Sequence, residues 1–321
     1  MTPLEQINAI AGLCMKNATG WPNVLNDLGY IVERIELKFT IINNSGKSRT
    51  VNPDIVLASD KKNSSLFFET KSGNIQSDCE EQLERYSLVT KKDVIQKAAI
   101  PSSYPGLHLF TMILFCDAKY QNSYKKIISA KSFPIAVIAM NKKEIKLVLN
   151  SITEKFTNKI FKQGIDIEKG YPPLSLIPIL PDAGSVQMTE YVVDAIITLL
   201  VKKKRHFTVA QLMDSVFSSG LWQTFDTEAK KGLHNKVRTI LKEMSNTEFR
   251  QHITRRGGNA KSPEEWTLKN HPDSKKTRQF QALKKLKIEY ISRLTKGKLY
   301  MGYNPNQESI FEILEDENSP G

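Results

Sequence analysis

The sequence has few of the residues on which several classes of protein depend. Its three cysteines, Cys14, Cys79 and Cys116, lie far apart and form no CxxC pair. This argues against a disulfide framework and fits a reducing, cytoplasmic setting. The five histidines show no metal-ligand spacing, so a zinc site is not expected. No GxxxxGK[ST] loop occurs, so the chain does not drive translocation with a nucleotide of its own.

Long apolar runs are also missing. No stretch of about 18 apolar residues occurs, so no transmembrane helix and no membrane partner are expected. The first residues, MTPLEQINAIAGLCMKN, lack the basic region and cleavage site of a signal peptide. The contents of 40% hydrophobic and 25% charged residues are those of an ordinary soluble globular protein.

Positive charge is abundant, and it is unevenly distributed. The formal net charge is +12. Residues 201–300 hold 23 Lys and Arg against 9 Asp and Glu, an excess of +14, whereas the last 21 residues hold five acids and neither Lys nor Arg. Such a local excess is typical of a protein that binds a polyanion. The alternative is a basic surface that serves only solubility.

The apolar patterns in the first half predict an α/β layer around a mixed sheet. We expect a helix over 3–17, a short helix over 21–28, strands over 31–42, around 54–57 and over 66–71, and a helix over 78–90. Two buried strands, in LHLFTMILFC and FPIAVIAM, then flank a helix over 120–130. We expect this domain to span 1–164 and the proline-containing segment 165–187 to be a linker or a packed irregular connection.

The second half predicts three helices followed by a hairpin. TEYVVDAIITLLVKKKRH forms the first helix, Thr208 caps the second, and the third runs over 227–244. FRQHITRR and EEWTLK then pair across a basic tip. Three helices and a two-stranded hairpin are typical of a winged helix-turn-helix domain, expected over 188–303, with an acidic tail over 304–321.

The stretch NPDIVLASDKKNSSLFFETKSG contains a strand that ends in charged residues. Because side chains alternate along a strand, Glu69 and Lys71 emerge on one face. Asp54 begins the preceding strand and lies within reach of them. Two carboxylates and an amine at one sheet edge suit Mg²⁺, which one or two protein carboxylates usually hold. The alternative is that Asp54 is a turn residue and Glu69 and Lys71 form an ion pair.

This pattern resembles the motif of the PD-(D/E)XK nucleases: Pro53-Asp54, fourteen residues, then Glu69-Thr70-Lys71. The resemblance covers about residues 1–150 and implies a restriction-endonuclease-like αβββαβ core. It also implies that Asp54, Glu69 and the Thr70 carbonyl bind Mg²⁺, with Mn²⁺ as a substitute. Lys71 would then orient or deprotonate the attacking water, or stabilise the charge of the transition state.

Two further elements of the resemblance involve helices. Many members carry a glutamate on the first helix, for which Glu5 is our candidate and Glu33 and Glu36 are rivals. Gln82 and Tyr86, four residues apart on the next helix, are similar to the QxxxY element of the RecB-like branch. The sequence lacks the GxxD form of that branch. A solvated helix with a buried tyrosine is the alternative.

These observations predict a Mg²⁺-dependent DNA endonuclease of restriction or phage-defence type, acting on DNA as a homodimer or with proteins of a defence or transposition system. The alternatives are the nuclease subunit of a heteromeric transposase and a non-catalytic DNA-binding regulator on a nuclease-like scaffold. If the winged helix binds DNA rather than protein, the expected contacts are Lys230, Lys231, Lys236, Arg238, Arg255, Arg256 and Lys261.

Overall fold

The fold is described from a computed structural model of the chain, which describes residues 1–42, 45–73, 78–217, 219–257, 264–269 and 276–294. These residues form two compact units. One contains residues 1–183 and 208–239, and the other contains residues 184–207 and the described residues from 240 onwards. The predicted acidic tail lies outside the described residues, and the predicted domain boundary stays a prediction. No helix in the described part of the chain is long and apolar enough to cross a membrane.

The described residues of the first unit up to residue 183 form nine strands and four α-helices. The strands are β1 (Ile31–Ile35), β2 (Phe39–Ile42), β3 (Ser48–Val51), β4 (Ile55–Ser59), β5 (Ser64–Lys71), β6 (Leu109–Asp117), β7 (Ala136–Met140), β8 (Glu144–Leu149) and β9 (Ile165–Asp166). The helices are α1 (Pro3–Gly12), α2 (Cys79–Ser87), α3 (Gln121–Ala130) and α4 (Lys155–Gln163). Short π or 3-10 helices lie at Asp93–Lys97, Pro105–Leu107 and Ala118–Tyr120.

The later elements follow in chain order. They are α5 (Ser185–Val201), β10 (His206–Thr208), α6 (Val209–Val216), α7 (Thr227–Asn246), β11 (Ile253–Arg256), β12 (Glu265–Leu268) and α8 (Lys276–Leu294), with 3-10 helices at Leu221–Thr224 and Glu248–Gln251. Helix α6 belongs to the first unit, and α5, β11, β12 and α8 belong to the second. Both β10 and α7 begin in one unit and end in the other.

The predicted α/β class is confirmed by a mixed sheet of seven strands in the order β1-β4-β5-β6-β7-β8-β9. The strands β1, β4 and β5 are antiparallel neighbours, β5, β6 and β7 are parallel, and β8 and β9 are again antiparallel. Every residue of β4 and all but the last of β5 are buried. Burial on both faces explains why β4 is almost continuously apolar.

A hydrophobic core joins one face of the sheet to α2 and α3. Phe67, Leu114 and Val137 contribute from β5, β6 and β7, and Leu83 and Ile128 contribute from the two helices. Since Glu69 follows Phe67 by two residues, it faces the same side and therefore points towards α2.

Helix α1 begins at a capping box in which Thr2 and Glu5 bind each other's backbone N–H groups, and it is shorter than the predicted 3–17. The segment predicted as a linker contains a packed stretch. Ile177 is buried, and its backbone exchanges two hydrogen bonds with the Asn8 side chain, at 2.7 and 2.9 Å. This packing agrees with the irregular connection that we gave as an alternative.

Two predicted elements were wrong. Residues 24–29 form turns, and the helix predicted over 21–28 is not present. The single strand predicted over 31–42 is divided at Glu36, whose φ of +54° is in the left-handed region. This turn ends β1, and β2 pairs instead with β3 in a separate two-stranded sheet.

The second unit contains the predicted hairpin. Strands β11 and β12 are antiparallel, with Ile253 opposite Leu268 and Arg256 opposite Glu265. Strand β10 joins them in the order β10-β12-β11. Helices α5 and α8 pack together, and Lys287 of α8 forms hydrogen bonds of 2.9 Å to both carboxylate oxygens of Asp194. Helix α8 was not predicted.

Candidate active site

The backbone brings Asp54 to the charged end of β5. The Asp54 N–H donates to the carbonyl of Phe68 at 2.9 Å, which places the residue beside Glu69 and Thr70. Its carboxylate oxygen Oδ2 accepts two hydrogen bonds from Thr70, one from the backbone N–H and one from the hydroxyl, each 2.6 Å long. The predicted proximity of Asp54 to the Glu-Thr-Lys segment is thus present in the structure.

Glu69 is the centre of a hydrogen-bond network between β5 and α2. Its Oε1 accepts from Lys71 Nζ and from Gln82 Nε2, both at 2.8 Å. Its Oε2 lies 2.5 Å from the Tyr86 hydroxyl. Lys71 Nζ also donates to Gln82 Oε1 at 2.8 Å. The predicted residues Glu69, Lys71 and Gln82 are therefore all in contact, and Tyr86 joins them.

Tyr86 connects this network to the segment before Asp54. Its hydroxyl lies 2.8 Å from the Asn52 carbonyl as well as 2.5 Å from Glu69, and it can donate its single proton to either. Gln82 Nε2 donates to the same hydroxyl at 3.1 Å. Burial and the Glu69 carboxylate raise the pKa of Tyr86 well above its ordinary value, so Tyr86 is a proton donor at neutral pH.

The environment of Asp54 opposes negative charge on its carboxyl group. Burial, followed by the neighbouring Glu69 carboxylate, raises the pKa of Asp54 well above its ordinary value. Glu69 itself is 5% exposed. A second ionised carboxylate beside Glu69 is costly unless a cation lies between the two groups.

Lys71 is protonated in this arrangement. Burial by itself lowers the pKa of the ammonium group, but the Glu69 and Asp54 carboxylates outweigh burial, and the net shift is upwards. A lysine that acts as a general base near neutral pH needs a lowered pKa. Of the roles considered for Lys71, those of a cation that orients water or stabilises negative charge fit the metal-free geometry better.

Of the three candidate acids outside the motif, Glu36 lies with Asp54 and Glu69. The Glu5 carboxylate instead accepts from the Thr2 N–H at 2.6 Å in the cap of α1, and Glu33 forms an ion pair of 2.6 Å with Arg34. The Glu36 N–H donates to the Asp54 carbonyl at 2.8 Å. Burial and then the carboxylates of Asp182 and Glu69 raise the pKa of Glu36 to about 7.

Sequence reasoning missed Gln6, which is the α1 residue that reaches the motif. Its side chain is fully buried, and Nε2 donates to the Lys71 carbonyl at 3.0 Å. Within the described residues its Oε1 has no hydrogen-bond partner. The signal available in the sequence was that Gln6 is a polar residue next to the apolar stripe of α1. Gln6 fixes the backbone from which the Lys71 side chain leaves β5.

The residues present fit a hard divalent cation. Within the described residues both hydrogen bonds to the Asp54 carboxylate fall on Oδ2, which leaves Oδ1 available to a ligand. No group of three or more His, Cys, Asp or Glu in the described ranges is arranged as a complete metal site. Mg²⁺ does not need one, because one or two carboxylates commonly hold it together with water and substrate phosphates.

The seven predicted DNA contacts have different surroundings. Lys230 Nζ donates to the Gln223 carbonyl at 2.5 Å, and Lys236 Nζ donates to the carbonyls of Pro181 and Ala183. Burial and the nearby Arg34 lower the pKa of Lys230. Of the other five, Lys231 and Arg256 are exposed and Arg238 is half-buried. Arg255 pairs with Glu264. Lys261 lies outside the described residues.

Comparison with known families identifies the half of the chain that holds this site. The model of the MJECL32 domain matches residues 3–177, which is more than half of the sequence. The chain belongs to the MJECL32 domain family. A second model, a domain of unknown function designated DUF8601, matches residues 181–299. No curated protein and no solved structure matches the chain. The network around Glu69 therefore lies within the MJECL32 domain.

Proposed function

We propose that this MJECL32-domain protein is a Mg²⁺-dependent DNA endonuclease of restriction or phage-defence type. One observation carries the proposal: the half-buried carboxylate of Asp54 and the buried carboxylate of Glu69 lie at neighbouring strand ends, and Lys71 Nζ lies 2.8 Å from Glu69 Oε1. Perturbed carboxyl groups beside a fixed ammonium group are typical of catalytic sites. The environment opposes charge on Asp54, which is costly in a site with only a structural role.

The topology around the site supports a restriction-endonuclease-like core. Helix α1 is followed by β1, β4 and β5 as an antiparallel meander, then by α2, and then by β6 parallel to β5. This is the αβββαβ order that the PD-(D/E)XK resemblance implies. The β2–β3 hairpin is an insertion between the first two strands of that core.

Each residue of the network has a role in the proposed reaction. Asp54 and Glu69 would hold the cation, with the Thr70 carbonyl as a further ligand. The cation would supply a more acidic bound water and offset charge on the phosphate. Lys71, as an ammonium group, would orient the attacking water or stabilise the developing negative charge. Gln82 and Tyr86 hold Glu69 in place, and Glu36 is the additional carboxylate that replaces Glu5 in our assignment.

The remainder of the chain supports DNA as the substrate. Residues 201–300 have the excess of +14, and the helices α5, α6 and α7 precede the β11–β12 hairpin in the order expected of a winged helix. A DNA-binding module joined to a nuclease core would bind the duplex DNA on which the active site acts. Its contacts to phosphates would set the affinity for DNA rather than a sequence preference.

One observation favours the non-catalytic alternative. Both carboxylate oxygens of Glu69 are already engaged by Lys71, Gln82 and Tyr86. A cation must share or displace these bonds, whereas a DNA-binding regulator on this scaffold would retain them.

A cleavage assay separates the two functions. Supercoiled plasmid is incubated with the full chain in Mg²⁺, Mn²⁺ or EDTA, for the wild type, for Lys71→Ala, and for Lys142→Ala, which removes an exposed lysine. The proposal predicts metal-dependent nicking or linearisation by the wild type and by Lys142→Ala, and a loss of at least about 100-fold in Lys71→Ala, as expected when a group that stabilises the transition state is removed. A folded wild-type chain that binds plasmid without cutting it would favour the regulator, or a nuclease subunit that needs partner proteins as in a heteromeric transposase.

A further inference from the structure

A polar groove lies in the second unit, in a place that the nuclease site does not use. It has a volume of about 520 Å³ and is formed where α7 ends, the short helix Glu248–Gln251 follows and β11 begins. Arg250, Arg255 and Lys269 supply positive charge to its lining, and Ser245, Asn246 and Thr254 supply neutral hydrogen-bonding groups. No Asp or Glu is among the described residues that line it.

Contacts within the second unit fix the shape of this groove. Lys269 follows β12, and its backbone N–H donates to the His252 carbonyl at 2.8 Å. Its Nζ donates to the Arg250 carbonyl at 3.0 Å, which spans the groove from one side to the other. Arg255 is paired with the buried carboxylate of Glu264, which holds its guanidinium group and offsets its charge. Arg250 and Lys269 supply the other two positive charges of the described lining.

We propose that this groove binds the phosphodiester backbone of a nucleic acid. Arg and Lys together with Ser, Thr, Asn and Gln are the side chains that usually contact phosphate and sugar oxygens. The one apolar residue among the described lining residues, Ile253, is buried, so the polar contacts open to a ligand come from the charged and hydrogen-bonding side chains. One lining residue, Arg255, was among the predicted DNA contacts, whereas Arg250 and Lys269 were not.

The inference does not depend on cleavage, and it is tested in EDTA with the full chain. Binding of a labelled DNA duplex is measured by fluorescence anisotropy for wild type, for the double variant Arg250→Ala with Lys269→Ala, and for the control Lys16→Ala with Lys142→Ala. The control removes the same charge from exposed positions of the first unit. Loss of about two phosphate contacts predicts affinity about tenfold or more below the control and a salt slope that is lower by about 1.8.

Further variants separate charge from folding. Arg250→Lys keeps the charge and is expected to bind within about twofold of wild type, whereas Thr254→Glu, a change at an exposed position, adds a negative charge to the groove and is expected to weaken binding. An RNA duplex of equal length forms a second arm, and weakened binding of either duplex by the groove variants supports the proposal. The proposal is overturned if the double variant and Thr254→Glu, with unchanged melting temperatures, bind both duplexes as tightly as the control. DNA binding without plasmid cleavage would leave this inference intact while removing the proposed function.

Discussion

Glu69 is the residue on which the hydrogen bonds of the candidate site converge. It receives an ammonium group and an amide on one oxygen and a phenol on the other, from Lys71, Gln82 and Tyr86. Asp54 lies close enough for the Glu69 charge to raise its pKa. These hydrogen bonds hold the Glu69 carboxylate in place. The Glu69 charge makes ionisation of Asp54 unfavourable, and a bound cation would reduce that cost.

Replacing Asp54 by Asn is predicted to stabilise the metal-free protein. The folded state raises the pKa of Asp54, so ionisation of this residue favours unfolding once the pH is above its ordinary value of 3.8. Asn removes the charge and still accepts from Thr70. We expect Asp54→Asn to melt about 3 °C higher in EDTA at about pH 8, corresponding to about 1 kcal/mol. The gain should shrink as the pH falls towards 3.8.

Added Mg²⁺ provides the control for this prediction. It should raise the melting temperature of the wild type and leave that of Asp54→Asn unchanged, because binding stabilises only the state that binds. A variant that melts below the wild type in EDTA at every pH would show that the Asp54 charge is structural.

His108 is predicted to make stability depend on pH. It is buried, with Nε2 2.9 Å from the Ser65 hydroxyl, and burial followed by Lys91 lowers its pKa below the ordinary 6.5. The unfolded chain therefore binds a proton more readily than the folded chain, so stability falls as the pH drops below 6.5. Thermal melts of wild type and His108→Gln between about pH 7.5 and 5.5 should show a smaller decline in the variant. Parallel declines would exclude His108 as the source.

At the scale of elements, the ends of β4 and β5 position the site, and the cap residues define the helices. Asp54 and the Glu69–Lys71 segment could be predicted to meet, because alternation along β5 and the short connection between two antiparallel strands leave few other arrangements. The cap of α6 was also predictable, and the structure confirms that Thr208 accepts from the Gln211 N–H while Gln211 accepts from Thr208.

Other parts of the site could not be predicted, for specific physical reasons. Glu36 lies beside Asp54 at a point where its own backbone is left-handed, and the apolar and polar residues that alternate from Ile35 to Ile41 contain no signal for that turn. Gln6, rather than Glu5, faces the motif because the capping box of α1 uses Glu5. The position of Glu36 depends on one backbone angle, and that of Gln6 depends on the helical phase near the start of α1. Hydrophobic periodicity determines neither.

The cap of α6 provides a test at this scale. Thr208→Ala removes the side-chain acceptor for the Gln211 N–H and is expected to lower the free energy of unfolding by about 1 kcal/mol. Ser215→Ala, in the last turn of the same helix, is the matched control and should cost less than about 0.5 kcal/mol. Denaturant unfolding of both variants measures the difference. Equal costs would indicate that the capping box does not stabilise the helix.

At the scale of the whole molecule, the carboxylates of the candidate site and the basic excess lie in different parts of the sequence. The MJECL32 domain, over residues 3–177, holds Asp54, Glu69 and Glu36, while the region matched by DUF8601 holds most of the basic excess. A polyanion bound by the basic region would bring phosphates to a carboxylate site that repels them unless a cation is present. Metal dependence is therefore the property on which the proposed function rests.

Direct titration of the full chain with Mn²⁺ by isothermal calorimetry, without DNA, tests that property most directly. The wild type is compared with Asp54→Asn and with Asp60→Asn, which changes an exposed aspartate outside the site. We predict saturable binding to the wild type and to Asp60→Asn, and a loss of at least about tenfold in affinity for Asp54→Asn. Equal affinities in all three proteins, or no binding by the wild type, would contradict a cation site at Asp54 and Glu69.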